Sequence, residues 1–311
     1  MSVPARVGSP ARPTAAPALR SVPPVNSGDA PGGAGCAAVA ASGAGAAGGR
    51  PPSPVTPAVL AARAREEGPP PAPAAAPHPA GDAEPGRTVR LGGRTVEFGR
   101  AYAHVQSFFD EAGNRALAAA GGKPSAYPAY DRYASGSGPD ELTDSDFLAP
   151  LLLNARPTIG TFYSLQAARP ALEAALSATP RDLTLTDAVR EGSHRELLGG
   201  LVAVLDRPEH AATLQLTTLT KVLHRKRPHL VPLFDSNIRR CYLSTGEAPG
   251  YPMARDTRTD DPAFYPALAE HIAGDLTAQP HLWQGLRTAA PDDVSMLRLF
   301  DVVAWHRGRK T

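Results

Sequence analysis

The first 86 residues hold so few large apolar side chains that whatever this chain folds into must be built from the rest. They read as runs such as "SPARPTAAPALRSVPPVNSGDAPGGAG" and "GPPPAPAAAPHPAGDAEPG", and roughly half of the chain's 34 prolines fall there. Ala, Pro and Gly bury too little surface to offset the entropy lost on ordering the backbone, so residues 1–86 are expected to be a disordered tail. One island, "TPAVLAARAREEG" (56–68), predicts a short helix, with Pro57 near its first turn. Residues 87–311 are enough for one domain with a sizeable core.

Within that segment the apolar period is almost everywhere helical. "TVRLGGRTVEFG" (88–99) is the exception. There β-formers flank Gly92-Gly93, a two-residue hairpin turn that asks for positive φ at both positions. Tyr102, Val105, Phe109, Ala112 and Leu117 then recur at helical spacing, predicting one helix that stops at Gly121 or Gly122. A tyrosine-bearing loop follows (124–140), and Thr143-x-x-Asp146 predicts a cap for a helix through Phe147, Leu148, Leu151 and Leu152. Two short helices are expected at 158–168 and 170–178, separated by Pro170. Ser193 to Glu196 reads as a capping box ahead of "LLGGLVAVL", expected to be central. A helix from about Thr213 or Thr217 to Lys226 comes next, and another starts at Asp235 or Ser236. After a loop over 244–262, helical stretches open at Pro262, at "HLWQGLRTA" and at Pro291-Asp292-Asp293. The fold class is therefore mostly α: a single helical domain with a small N-terminal β-hairpin, after a disordered N-terminal tail.

Composition narrows the function classes. A net charge of +2 gives no whole-chain pull toward nucleic acid or an anionic membrane, so any basic patch is local. The two cysteines, Cys36 and Cys241, form neither a disulfide framework nor a metal cluster, and a reducing cytoplasm is the simplest location. No run is long and apolar enough to span a bilayer. His194, His210, His224 and His229 show no metal-ligand spacing, so neither a metal nor another cofactor is expected.

The chemistry concentrates in "TTLTKVLHRKRPHLVPLFDSNIRRCY" (217–242). Leu216, Leu219, Val222 and Leu223 share one helical face, which leaves Lys221, His224 and Arg225 on the other. With Lys226, Arg227 and, one helix later, Arg239 and Arg240, these form a candidate patch for phosphates, through bidentate Arg contacts and a Lys point charge. The plainer reading is a helix end whose cations complement the dipole. Asp235 is the candidate catalytic carboxylate, or simply an N-cap. Asp301, in the apolar run "LRLFDVVAW" (297–305), is either a second acid or a partner for Arg298. Tyr127, Tyr130 and Tyr133 either stack on bases or pack on the first helix.

"LTDSDFLAPLLLN", the 217–242 stretch and "LRLFDVVAW" together resemble an actinobacterial family of uncharacterised proteins over nearly all of 100–307. The resemblance implies that Lys221, His224, Arg225, Lys226, Arg227, Pro228 and Asp235 form one motif. A more distant likeness is to the core of the helix-hairpin-helix DNA glycosylases, in which an essential Asp opens a helix. "FDSNI" (234–238) is similar to that context, and the resemblance implies that Asp235 stabilises charge on a sugar or orients a water. The sequence departs from that pattern in three places, one being that the four-cysteine iron–sulfur cluster of some relatives has only Cys241 here. The phosphate-gripping hairpin glycines are replaced by "TLQL" (213–216), and the position of a Schiff-base Lys matches Thr217, with Lys221 one turn later. The expectation is a protein that binds nucleic acid or another polyphosphate through the basic helix end and, if an enzyme, hydrolyses glycosidic bonds. The contrasting expectation is a non-enzymatic scaffold or regulatory module.

Overall fold

Gly92 turns the chain because it alone can take φ +60° without cost, and it leads the architecture off with a two-stranded ribbon. The computed structural model describes residues 87–243, 250–254 and 262–308. The expected tail over 1–86, its short helix at 56–68, Cys36 and most of the 244–262 loop lie outside these residues. Strands β1 (Thr88–Leu91) and β2 (Arg94–Glu97) pair antiparallel, with Val89 opposite Val96. Only the first glycine of the turn is left-handed. Its N–H donates to Asp275 Oδ2 at 2.5 Å, and Tyr242 donates to the same oxygen at 2.7 Å, which ties the ribbon to the helical body.

Helices α1 (Phe98–Phe109) and α2 (Glu111–Ala119) replace the one long helix expected there. Asp110 breaks it: its backbone is extended and its carboxylate accepts from Gly113 N, a cap that restarts the helix. Helix α3 (Asp144–Leu148) begins as expected, with Thr143 N donating to Asp146 at 2.9 Å, and runs into a 3-10 turn (Ala149–Leu153) at Pro150. The two short helices around Pro170 are one, α4 (Ile159–Ala178). Pro170 sits on the exposed face, where water can satisfy the carbonyl that its missing N–H leaves free.

Helix α5 (Leu185–Glu191) ends at left-handed Gly192, and α6 (His194–Val202) follows without the expected capping box, because the Ser193 hydroxyl turns back to Ala188 O. Glycines 199 and 200 leave α6 with one buried face only. That face, with Leu198, Leu201 and Val202, lies in the core as expected, and the most completely buried helices are α8 (Leu216–Lys226) and α12 (Met296–Gly308), reached after the short α7 (Pro208–Ala211) and after α9 (Ser236–Tyr242), α10 (Phe264–Ala278) and α11 (Pro280–Arg287). Every residue from Thr218 to His224, and from Leu297 to Ala304, is buried. Helix α12 starts later than the Asp292-Asp293 pair suggests, because Ser295 Oγ accepts from Arg298 N and makes the cap. Helix α9 packs along α12, and α10 against α5 and α6.

Candidate functional site

The polar residues expected on the outer face of α8 are inside. The tyrosine loop covers them: Tyr130 is buried and its hydroxyl donates to Lys221 O at 2.7 Å, while Tyr127 packs edge-on against Phe109. Most of the predicted basic cluster then bonds to the protein itself. His224 Nδ1 donates to Val231 O at 2.7 Å, and burial pushes its pKa down to about 4. Arg225 donates to the carbonyls of Tyr130 and Tyr133 and lies over both rings. Lys226 Nζ reaches Ser137 Oγ at 2.6 Å, Gly138 O at 3.2 Å and Asp146 at 3.2 Å. Arg227 is fully enclosed, and Arg240 donates to Asn237 Oδ1 at 2.6 Å and Gly308 O at 2.8 Å. Arg239 is exposed.

Lys221 is different. It is 5% exposed, yet its ammonium makes no hydrogen bond and no ion pair within 4.0 Å among the described residues. Burial lowers its pKa, against the pull of Asp235 and Asp301 and with the push of Arg298. It lines a cavity of about 370 Å³ together with Asp235 and Asp301.

Three elements place these groups. Asp235 closes the proline-bounded loop after α8, and its Oδ1 accepts from Asn237 N at 2.7 Å and Ile238 N at 3.0 Å to start α9. Its Oδ2 has only a 3.5 Å approach from Asn237 Nδ2, so one oxygen fixes the helix and the other is left for the cavity. Asp301 and Arg298 come from α12. Arg298 grips Asp131 through Nε at 2.6 Å and Nη2 at 3.1 Å, and Asp301 through Nη1 at 2.5 Å. Because that guanidinium is shared, burial outweighs its pull on Asp301, whose pKa rises to about 6. Phe108 and His104 of α1 and Trp305 of α12 supply aromatic wall, and Lys123 stands exposed at the rim.

A larger and more open groove of about 880 Å³ runs past the hairpin, but both its acids are already bound, Asp275 to Gly92, Tyr242 and Arg90, and Glu270 to His194 and Arg195. The smaller, less open cavity has the unengaged polar atoms, which makes it the better ligand site. Among the described residues no group of His, Cys, Asp and Glu could hold a metal ion, and no helix is long and apolar enough to cross a membrane.

Of the residues singled out from sequence, the structure brings Lys221, Asp235 and Asp301, with its partner Arg298, to one cavity and sends the basic residues 224–227, Arg239 and Arg240 elsewhere. Phe108, His104, Arg298 and Trp305 were missed as site residues. The available signal was the Arg298 and Asp301 pair, two charges one turn apart in a run with no polar face.

The Lys221 stem is buried while its ammonium meets only the cavity, so burial disfavours the charge and costs stability until a ligand meets it. Lys221→Met keeps the stem and drops the charge. It is expected to raise stability at pH 7 by up to about 1 kcal/mol, the low end for a polar group that keeps contact with water in the cavity. The gain should shrink as pH approaches 10.5, lysine's ordinary value, above which the amine is neutral in both states. Urea unfolding of both proteins checks this, and a less stable Met variant would show that the ammonium is satisfied.

A family model described as a family of unknown function, DUF6308, matches residues 101–308. No curated protein and no solved structure matches the chain.

Proposed function

The chain belongs to this family of unknown function, DUF6308, and from its cavity we propose that the domain takes up a small ring-bearing ligand and hydrolyses a glycosidic bond in it. The observation that carries the reading is that two carboxylates with different surroundings, Asp235 and Asp301, line one cavity. Glycosidic hydrolysis needs such a pair. Asp301, whose proton affinity burial raises, is suited to protonate the leaving group. Asp235, pinned by two backbone N–H groups, is suited to orient water or stabilise a cationic sugar. This is also the role that the "FDSNI" likeness implies for it.

The cavity lies near the lower end of the roughly 300–1,000 Å³ usual for ligand sites, which suits one nucleoside-sized molecule. The aromatic wall favours a ring. Uptake into the cavity is better supported than binding of a nucleic-acid strand along the basic helix end, because His224, Arg225, Lys226, Arg227 and Arg240 already bond to this protein's own acceptors.

A panel of nucleosides, nucleotides and single-stranded oligonucleotides tests the reading, with melting temperature reporting uptake and chromatography reporting released base. Asp235→Asn retains a side-chain oxygen for the cap, so it should fold, bind and lose roughly 10²–10⁴-fold in rate. If no member of the panel shifts the melting temperature or loses its base, the hydrolase reading fails and the scaffold reading takes its place.

A further inference from the structure

We propose that the chain pairs with a second copy of itself through the exposed face of α4, antiparallel across a two-fold axis. The inference is independent of what the cavity binds.

Helix α4 is 20 residues long and carries two charged side chains, both turned back onto this protein. Arg169 reaches Asp144 and lies over the Phe147 ring at 5.1 Å, and Glu173 accepts from Leu142 N at 2.8 Å. The exposed positions are Ile159, Tyr163, Ala167, Pro170, Ala174 and Ala178, with the uncharged Ser177 at their margin. A surface helix puts its charges on such a face, and a helix apolar on every side is one that something covers. Ile159 is 76% and Tyr163 64% exposed, so these two alone show on the order of 300 Å² of apolar surface, the size at which a patch is often functional. Leu148 and Leu151, exposed at the end of α3 and in the turn after it, add to this.

What fits this face is the face itself. Its bulk is at one end, Ile159 and Tyr163, and only Ala and Pro continue the row, so a reversed second copy lays large on small. Positions equally far from the middle of the helix meet: Ile159 faces Ala178 of the second copy, Tyr163 faces Ala174, and Ala167 faces Pro170. A two-fold contact has to be self-complementary in this way. Small residues at the centre let the two helix axes approach to about 8 Å. The carbonyl freed by Pro170 keeps its water there, since bridging waters are usual in interfaces. The ends carry opposite charges: Arg156 is exposed before the helix and Asp182 after it, while Arg181 is already held by Asp140. Antiparallel pairing sets each Arg156 toward the Asp182 of the other copy. At about 30 Å long the strip buries roughly 1,000 Å² in all, the lower limit for a specific interface, so the pair forms in the micromolar range.

Sedimentation equilibrium of the full chain from about 1 to about 200 µM, the range of weak dimers, tests the pairing. The parent is expected to pass from the chain mass of 32.4 kDa to twice that mass. Ala174→Glu sets a charge against Tyr163 and should weaken the pair at least tenfold. Its melting transition should stay within about 2 °C of the parent measured as monomer, because the position is exposed in the single chain. Disulfide formation in a Cys36→Ser background reads the geometry, since Cys241 is buried. Chains with Tyr163→Cys mixed with chains with Ala174→Cys should cross-link at least tenfold faster than either alone. A parent that keeps the chain mass at the highest concentration overturns the proposal. In that case, faster tryptic cleavage of residues 1–86 in Ala174→Glu than in the parent would identify the tail as what covers α4. A dimer that Ala174→Glu leaves intact, or cross-linking no faster in the mixture, equally overturns it, because the copies would then meet through another face.

Discussion

Replacing Arg227 with Met should cost about 4 kcal/mol or more and lower the melting temperature by roughly 10 °C, the largest loss expected from any single change in the basic stretch. The side chain is 0% exposed, and its guanidinium has five N–H donors with five acceptors. Nε meets Thr179 O, Nη1 meets Pro139 O and Lys226 O, and Nη2 meets Leu176 O and Asp140 Oδ1. The C-terminal turn of α4, the end of α8 and the loop at 139–140 are thereby held by one planar group. Met fills the space but orphans up to three carbonyls, Leu176 O keeping its bond from Thr179 N, and each is worth about 1–3 kcal/mol when left buried and unpaired. Lys should recover less than half of the loss, because a point charge with three donors cannot span a fork of five acceptors. Arg239→Ala, on the exposed face of α9, should stay within about 0.5 kcal/mol of the parent. Urea denaturation of the three variants checks the order; a loss at Arg227 no larger than at Arg239 would show that the network contributes nothing.

The contrast between Arg227 and Arg239 also shows where the sequence is legible. Periodicity and capping chemistry are local, and they place most of the helices, the hairpin and the cap at Asp235. What covers a face is not local. The tyrosine loop that buries Lys221 and His224 is contributed from about ninety residues upstream, and nothing in "KVLHRKR" announces it. A run of cations therefore reads as a surface patch although most of it binds main-chain carbonyls. The same holds for the site. Asp235 is legible because a helix must start there, and Lys221 because of its place in the motif. Phe108 and Trp305, by contrast, look like ordinary core residues until α1 and α12 are seen to wall one cavity. The errors at Asp110 and Pro170 have another origin, since each turns on whether one backbone group finds a partner.

Between about pH 6.5 and pH 4 the stability of the parent should stay nearly flat, because two buried groups, one on α8 and one on α12, titrate with opposite sign. His224 has its folded pKa depressed from 6.5 to about 4, so the unfolded chain takes up the proton first and stability falls on acidification through that window. The 2.5-unit gap corresponds to about 3 kcal/mol. Asp301 has its folded pKa raised from 3.8 to about 6, so the folded state takes up the proton first and stability rises as pH falls from about 6 to about 4, again by about 3 kcal/mol. Asp301→Asn keeps an oxygen for Arg298 and should unmask a loss on acidification. His224→Gln should unmask a gain, and the double variant should be flat again. Carboxylates with lowered values, such as Asp146 and Glu270, weaken the fold only as pH falls through their ordinary values near 4 and below, so slopes are best read above pH 5. Urea midpoints at half-unit steps give the four profiles. If either single variant reproduces the parent's slope, the corresponding group does not titrate in this window. If that group is Asp301, its proton affinity is not raised in the folded state and the cavity has no carboxyl suited to protonate a leaving group.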